Sequence, residues 1–485
     1  MTRQRIDLKT IAWDVMKQYG FHPGFPGPVI QEAESFSRTN QSHSGQDIQD
    51  LRMLLWSSID NNDSQDLDQI EYCKEEKNGE ILVRVAISDV DHYVTKNSLV
   101  DRHAAHNGTS VYPGIIIFHM LPDRLCKGIS SLLPGHDYLA IIIEYTVLPD
   151  GSVKYGSVYQ GIVSNRAKLV YEDIGDWLEE KTPPPESVQK IPGLENQIQL
   201  QNKAAVRLRK KRRDNGALDF ETLETQVVAE DGIITDLIIQ RQNAARCLIE
   251  EFMVAANETI VDFLDNAGFP MIQRVVRVPK YWEEIRTVAA QYHEFLSEKP
   301  DVRSLSAFLL KRRIADPERF PDLSLTIVKL MGSGEYVSYI PGKKPIGHFA
   351  LAVTDYTHGT APNRRYVDLI IQRLIKSVLA KKKPPYHIRE LEEAAEWLSE
   401  REKAANKVER YMRKSAAAVL LEKRIGERFE AFVTGASEKG TYVRLVSPPA
   451  EGRVMTGEKG LRVGDRVVVR LLKTDPYKGH IDFGR

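Results

Sequence analysis

Four aspartates, Asp60, Asp63, Asp66 and Asp68, fall within nine residues in SSIDNNDSQDLDQIEY. Like charges this close repel unless a cation sits among them. In an extended segment Asp66 and Asp68 project to the same side, and Asp60 is near enough to fold back. Such a group offers several hard oxygens, the donor set of Mg²⁺ or Mn²⁺. A bound Mg²⁺ polarises a phosphodiester oxygen and lowers the pKa of a bound water, which then attacks phosphorus near neutral pH. Two other readings of the same residues stay open. One is a solvated acidic loop. The other is a calcium loop, because Asp60, Asn62, Ser64, Asp66, Asp68 and Glu71 occupy positions 1, 3, 5, 7, 9 and 12 of the EF-hand pattern. Against the calcium loop, Gln65 stands where the sharp turn needs glycine. Its flanks, LRMLLWSSI and EILVRVAI, also read as strands where helices are required.

Phosphoryl chemistry also needs cations facing the charge of the transition state. In YTHGTAPNRRYVDL, Arg364 and Arg365 follow a proline-containing turn at an expected helix N-terminus, a ready anion site.

These segments need a substantial scaffold, and 485 residues leave room for about three domains. Hydrophobic residues at 42% and charged residues at 28% exclude a disordered or fibrous chain. Lys plus Arg (67) equals Asp plus Glu (67), so a nucleic-acid site must come from local segregation of charge. One candidate is KAAVRLRKKRR (203–213), with seven basic residues in eleven, which also reads as a solvated helix face. Cys73, Cys126 and Cys247 are far apart and in no CxxC or Cys/His spacing, which argues against a disulfide framework and a structural zinc site and for buried thiols. No apolar run approaches the ~18 residues of a membrane span, and MTRQRIDLKTIAWDVMKQYG lacks a signal-peptide core. The expectation is a soluble, cytoplasmic protein without membrane contact.

Helical spacing covers 7–18, and GFHPGFPGP and SRTNQSHSG then punctuate the chain, so residues 1–50 read as a helical, Pro/Gly-rich appendage. Residues 51–170 read mainly as β, with LAIIIEYTVL and SVKYGSVYQGIV forming a hairpin through Pro149-Asp150-Gly151. A second hairpin joins DFETLETQVV to ITDLIIQ at Glu230-Asp231-Gly232. Helices are expected over 185–213, 243–266, 280–297, 303–314, 364–381 and 388–424. From 426 onward five short β-like runs, broken by glycines, fit an OB-fold barrel. The class is α+β: a mixed α/β body over 51–425, ending in helices, followed by a β-barrel over 426–485.

At IDNNDSQDLDQ and YTHGTAPNRRYVDL the chain resembles the ribonuclease II (RNB) family of processive 3'-to-5' exoribonucleases, whose IDxxxxxDxDD motif binds Mg²⁺ and whose YTHFTSPIRRYPDL-like segment supplies a catalytic arginine. The resemblance runs on through ISDVDHYV, SVYPG, KLVYEDIGDWLE, GALDFET, IEEFMVAAN and the β-rich tail. It implies an RNB-type catalytic domain with a C-terminal OB-fold RNA-binding domain, a short form without the N-terminal cold-shock barrels that many members carry. It also implies a hydrolytic exoribonuclease that uses Mg²⁺, with Mn²⁺ possible, to degrade single-stranded RNA to nucleoside 5'-monophosphates. Asp60, Asp66 and Asp68 match metal-binding and catalytic carboxylates, and Arg364, beside Arg365, matches the arginine that steadies the scissile phosphate. Tyr112 and Phe220 match an aromatic pair that sandwiches terminal bases. Glu250 matches a carboxylate near the terminal nucleotide, and Glu409 a helical RNA-binding position. The basic run at 203–213 and the Lys/Arg-rich stretch 401–428 become candidates for an RNA channel wall.

One departure bears on activity. Gln69 stands where the motif has its last Asp, so ion binding suffers unless Asp63, an extra carboxylate, compensates. The alternative is therefore a catalytically weak or inactive relative that binds RNA. Protein partners are not legible in the sequence.

Overall fold

Alternating apolar residues in ILVRVAIS and DYLAIIIEYTV build the centre of a seven-stranded sheet, one face of each strand turned to each side. The computed structural model describes residues 6–37, 48–221, 224–230, 233–437 and 440–485; Asp231 and Gly232 of the expected turn, and nearly all of 37–45, lie outside these. In chain order the strands are β1 (Gln49–Asp50), β2 (Ser57–Asp60), β3 (Gln69–Glu75), β4 (Ile81–Ser88), β5 (Asp137–Val147), β6 (Val153–Ser164) and β7 (Ala167–Val170). Across the sheet they run β1-β6-β5-β4-β3-β2-β7, antiparallel except where β1 meets β6 and β2 meets β7. Val85, Ile87, Ile141 and Ile143 enter one apolar cluster, while Ala86, Ala140 and Ile142 join Trp56, Leu67 and Tyr138 on the other face.

The helices in order are α1 (Leu8–Gln18), α2 (Gly27–Ser35), α3 (Leu99–Asn107), α4 (Tyr171–Leu178), α5 (Glu186–Gln189), α6 (Leu194–Asp214), α7 (Ala244–Asn266), α8 (Trp282–Ala290), α9 (Val302–Ala315), α10 (Phe320–Met331), α11 (Tyr366–Leu379) and α12 (Ile388–Leu421). Ile174 of α4, Ile198 of α6, Phe252 of α7 and Ile371 of α11 cover the first face. α7 is capped by the Asn243 side chain, which accepts from the Arg246 N–H, and it is buried on most sides. A hairpin of β8 (Glu224–Glu230) and β9 (Ile233–Gln240) precedes it. β10 (Met271–Val275) pairs with β11 (Glu335–Tyr339), Met271 opposite Tyr339, and between them α8 to α10 build a separate core around Trp282, Phe308 and Phe320. The periodicity had indicated two of these helices but neither α10 nor the strand pair, whose partners are too distant in sequence for a turn signal to announce them.

The tail forms the expected barrel from β12 (Arg428–Ser437), β13 (Gly440–Leu445), β14 (Glu451–Thr456), β15 (Arg466–Asp475) and β16 (His480–Gly484), closed in the order β12-β13-β14-β16-β15. Two expectations need correction. Residues 6–37 are not an appendage: Leu8, Ile11, Val15 and Met16 share one core with Val408 and Met412 of α12 and Val433 and Leu471 of the barrel, while Val29 and Ala33 of α2 join the main core. An isolated helix of eleven residues is marginal in water, and this one is stabilised by burying its apolar stripe in that seam. The strand expected over LRMLLWSSI is confined to Ser57–Asp60, because Leu51 to Trp56 turn into the sheet edge, where the Trp56 indole N–H bonds the Leu51 carbonyl.

Candidate active site

The carboxylates occupy the loop that joins β2 to β3. Its backbone is held from two sides. Ser131 Oγ accepts from the Leu67 N–H at 2.9 Å and donates to the Gln65 carbonyl at 2.6 Å. Lys168 Nζ donates to the carbonyls of Asn62 and Ser64 at 2.8 and 2.5 Å. Asp60 closes β2, and its Oδ1 accepts from the Asn61 N–H and Ser64 Oγ, both at 2.7 Å. The loop therefore presents its acids in a set conformation. Strands on both sides exclude the calcium loop, as does the burial of Glu71, paired in register with Ser57 inside the sheet.

Asp68 is 2% exposed and joins this loop to the arginine segment. Its Oδ1 accepts from the Asn363 N–H at 2.8 Å and its Oδ2 from Arg364 Nε at 3.3 Å, a contact between residues 296 apart. The two adjacent arginines have different surroundings. Arg364 keeps a half-exposed guanidinium toward the carboxylates. Arg365 has its fork engaged by the fully buried Asp368, at 2.8 Å on both oxygens. Asp368 also accepts from the Ala361 N–H at 2.8 Å, so this pair shapes the turn ahead of α11. The RNA-binding role expected of Arg365 thus meets a fork already occupied by Asp368. Asn363, beside the arginine, is satisfied in place: its Oδ1 accepts from Ser130 Oγ at 2.7 Å. Gly359 is needed where it stands, since a Cβ there would lie 2.7 Å from Ile260 Cδ1 of α7.

Tyr112 borders the carboxylates directly, its hydroxyl donating to Asp66 Oδ2 at 3.4 Å. Its backbone N–H donates to Glu409 Oε1 of α12 at 3.0 Å, which places Glu409 in the same cleft, a cavity of about 770 Å³ also bordered by Asp63, His119 and Arg413. Phe220 lies elsewhere, half-buried against the core of α8 to α10. Glu250 is exposed at the start of α7, where it accepts from Arg212 at 2.9 Å and from Gln242 at 3.1 Å. The basic run on α6 is largely neutralised locally. Lys203 meets Glu75, Lys211 meets Asp150, Arg212 meets Glu250 and Glu251, Arg209 and Arg213 meet Asp219, and Arg207 donates to the Gly79 carbonyl. It fastens α6 to its neighbours rather than lining a channel with free charge.

Burial dominates the electrostatics. It pushes the Asp68 carboxyl up to about 7 despite Arg364 and the Asn363 N–H, and it also raises Asp60. Glu71, which the sequence reading had used only as a calcium-loop position, is fully buried with neither oxygen hydrogen-bonded. Burial, reinforced by the charge on Asp60, holds its carboxyl well above the usual range. Period-two alternation along β3 puts Glu71 on the same face as Gln69, where a search for exposed ligands overlooks it. The charge of Asp66 raises the carboxyls of both Asp60 and Asp68, so the three lie near enough to feel one another, and they are the residues able to hold a divalent cation.

A pH effect follows. Asp68 has an ordinary carboxyl value of 3.8 when unfolded and about 7 when folded, so the folded state holds the proton more tightly. The stabilisation this contributes is complete below about pH 4, declines as pH rises toward 7 and is absent above it. In EDTA, the thermal midpoint is expected to fall between pH 5 and 8 and the fall to be reduced in Asp68→Asn. Parallel melting curves for the two proteins across that range would contradict this.

The chain matches two family models: an RNB domain over residues 48–381 and an RNase II-type exonuclease C-terminal S1 domain over 427–485. It is 30% identical to Ribonuclease R of Thermotoga maritima over 99% of this chain and 70% of that protein. It is 29% identical to Ribonuclease R 1 of Lactococcus lactis over 95% and 59%. In fold it is similar to Mycoplasma genitalium RNase R in complex with ribose methylated single-stranded RNA, at a TM-score of 0.88 and 23% identity over 99% of this chain and 78% of that one.

Proposed function

The chain belongs to the RNB-domain family, and from that premise we propose that it is a metal-dependent hydrolytic 3'-to-5' exoribonuclease that degrades single-stranded RNA to nucleoside 5'-monophosphates. The observation that carries the reading is the junction of Asp68 with Arg364 at 3.3 Å, which joins the carboxylate loop, whose Asp63 and Asp66 border the cleft, to the arginine segment. In-line displacement at phosphorus needs both charges. Asp60, Asp66 and Asp68 would hold Mg²⁺, or Mn²⁺ in its place; when bound, the ion supplies activation of water and neutralisation of phosphate charge.

The chain's own residues do the rest. Arg364 offers a planar fork to the scissile phosphate, held in place by Asp68 and by the turn that Arg365 and Asp368 shape. Tyr112, 37% exposed beside Asp66, offers a ring face for a base; such stacking contributes about 1 to 3 kcal/mol per base without demanding sequence. Phe220 is assigned as the second stacking residue, and Glu250 as the contact to the terminal nucleotide, on the resemblance of their segments alone. Glu409 acts through Tyr112, whose backbone it anchors. No described helix is long and apolar enough to cross a membrane, and all three cysteines are free and buried, which fits a reducing compartment such as the cytoplasm.

The reading is tested by a denaturing-gel time course on 5'-labelled single-stranded RNA with Mg²⁺, Mn²⁺ or EDTA. A metal-dependent ladder shortening from the 3' end is expected; intact RNA in every lane, with a retained gel shift, would replace the enzyme with an RNA-binding protein. Gln69→Asp addresses the departure from the motif. Gln69 is only 9% exposed and shares its strand face with Glu71, so a further carboxylate adds repulsion to a crowded site. The expected outcome is a lower melting temperature without metal and a cleavage rate within about tenfold of the parent, roughly 1.4 kcal/mol. A far larger gain in rate would mean that the missing charge had silenced the site.

A further inference from the structure

Beyond the carboxylates, His119 of the cleft wall belongs to a second set of donors, of different chemistry. His119, Asp123 and Cys126 each bring one ligand atom into a group whose members lie within 4.8 Å of one another. They arise from a compact element. His119 precedes the turn at Pro122, and Asp123 and Cys126 sit three apart on the following helical turn. That turn widens so that the Ser130 N–H reaches the Leu125 carbonyl, five residues back. Such wide turns recur at functional sites.

The second observation is at His119. Its ring is 9% exposed, yet Nδ1 has no hydrogen-bond partner. A buried ring nitrogen without a partner costs free energy unless something else engages it. Asp66 Oδ2, at 3.9 Å, is too distant to bond directly.

We propose that His119, Asp123 and Cys126 form a binding site for a borderline-soft divalent transition metal of the Zn²⁺ class, separate from the carboxylate site and touching the cleft at His119. A mixed nitrogen, sulfur and oxygen set selects such ions over Mg²⁺, which prefers oxygen alone. Cysteine and histidine spacing had hidden this set, because only one of its ligands is a cysteine and one is an aspartate. Bond lengths of about 2.0 to 2.3 Å put tetrahedral ligand atoms roughly 3.3 to 3.8 Å apart, so the group has to contract slightly on binding. Asp123 supplies that movement: its side chain is 67% exposed and, among the described residues, is held only by Lys127 at 3.0 Å, a flexible partner that can swing away. Cys126 is fully buried, its thiol donating to the Leu121 carbonyl at 3.3 Å. On binding, that proton passes to solvent as the sulfur–metal bond forms.

The test uses the full chain, stripped with chelator and titrated with Co²⁺ in excess Mg²⁺, so that the hard-oxygen site is already filled. One Co²⁺ per chain is expected, with a thiolate-to-cobalt charge-transfer band in the near ultraviolet that Zn²⁺ erases. Cys126→Ser should abolish the band, and His119→Gln should weaken Co²⁺ binding tenfold or more. Asp123→Asn, at an exposed position that leaves the fold intact, should weaken it several-fold, and this keeps the assignment testable if a buried variant misfolds. A band that survives in Cys126→Ser would assign the thiolate to Cys73 or Cys247 and overturn the site. So would the absence of any band, or unchanged affinity in Asp123→Asn. Because the readout is binding, inactivity toward RNA would refute the nuclease reading and leave this one standing.

Discussion

Asp68→Asn is expected to reduce RNA cleavage by about three orders of magnitude or more, a barrier increase of roughly 4 kcal/mol, while single-stranded RNA binds almost as before. The substitution is close to isosteric. An amide oxygen still accepts from the Asn363 N–H, so the loop and the arginine turn remain joined. What is lost is the negative charge at the centre of a buried cluster and, with it, one hard oxygen for the ion on which water activation depends. Binding is carried by stacking and by cations elsewhere on the cleft, so it does not follow the loss. Single-turnover cleavage beside a gel shift separates the two quantities. Residual turnover comparable to the parent would remove Asp68 from the chemistry.

Arg364→Ala is expected to lower the rate by about 100- to 1,000-fold, the range seen when one donor to a developing oxyanion is removed. Arg364→Lys should recover little, because an ammonium cannot reproduce the planar fork. The neighbouring residue supplies the contrast. Arg365→Ala leaves Asp368 buried and uncompensated, and its main effect should be on stability, about 3 to 5 kcal/mol. Thermal melts and single-turnover rates for the two alanine variants should therefore diverge in opposite senses. If Arg365→Ala impaired cleavage as strongly as Arg364→Ala in a protein of unchanged stability, the division of labour assigned here would fail.

That division marks the boundary between what one dimension encodes and what three decide. Both chemical segments were legible because the chemistry dictates residue type over a short span: aspartates crowded within nine residues, and paired arginines after a proline turn. Short β-like runs broken by glycines announced the barrel strands, and helical spacing announced α7 and α12, because those signals lie within one element or at its ends. Nothing local distinguishes Arg364 from Arg365. The difference comes from Asp368, one helical turn away and fully buried, and from Asp68, 296 residues away.

The same reason explains the other revisions. A basic run looks like free charge until Glu75, Asp150, Asp219, Glu250 and Glu251 are brought to it by packing. An N-terminal helix looks like an appendage until the far end of the chain covers its apolar stripe. The orphaned imidazole of His119 and the unpartnered carboxyl of Glu71 have no signature at all in one dimension. Residue type and spacing record which chemistry a chain is equipped for. Burial and pairing decide which copy of a residue performs it, because desolvation and Coulomb energy depend on neighbours that only the folded chain assembles.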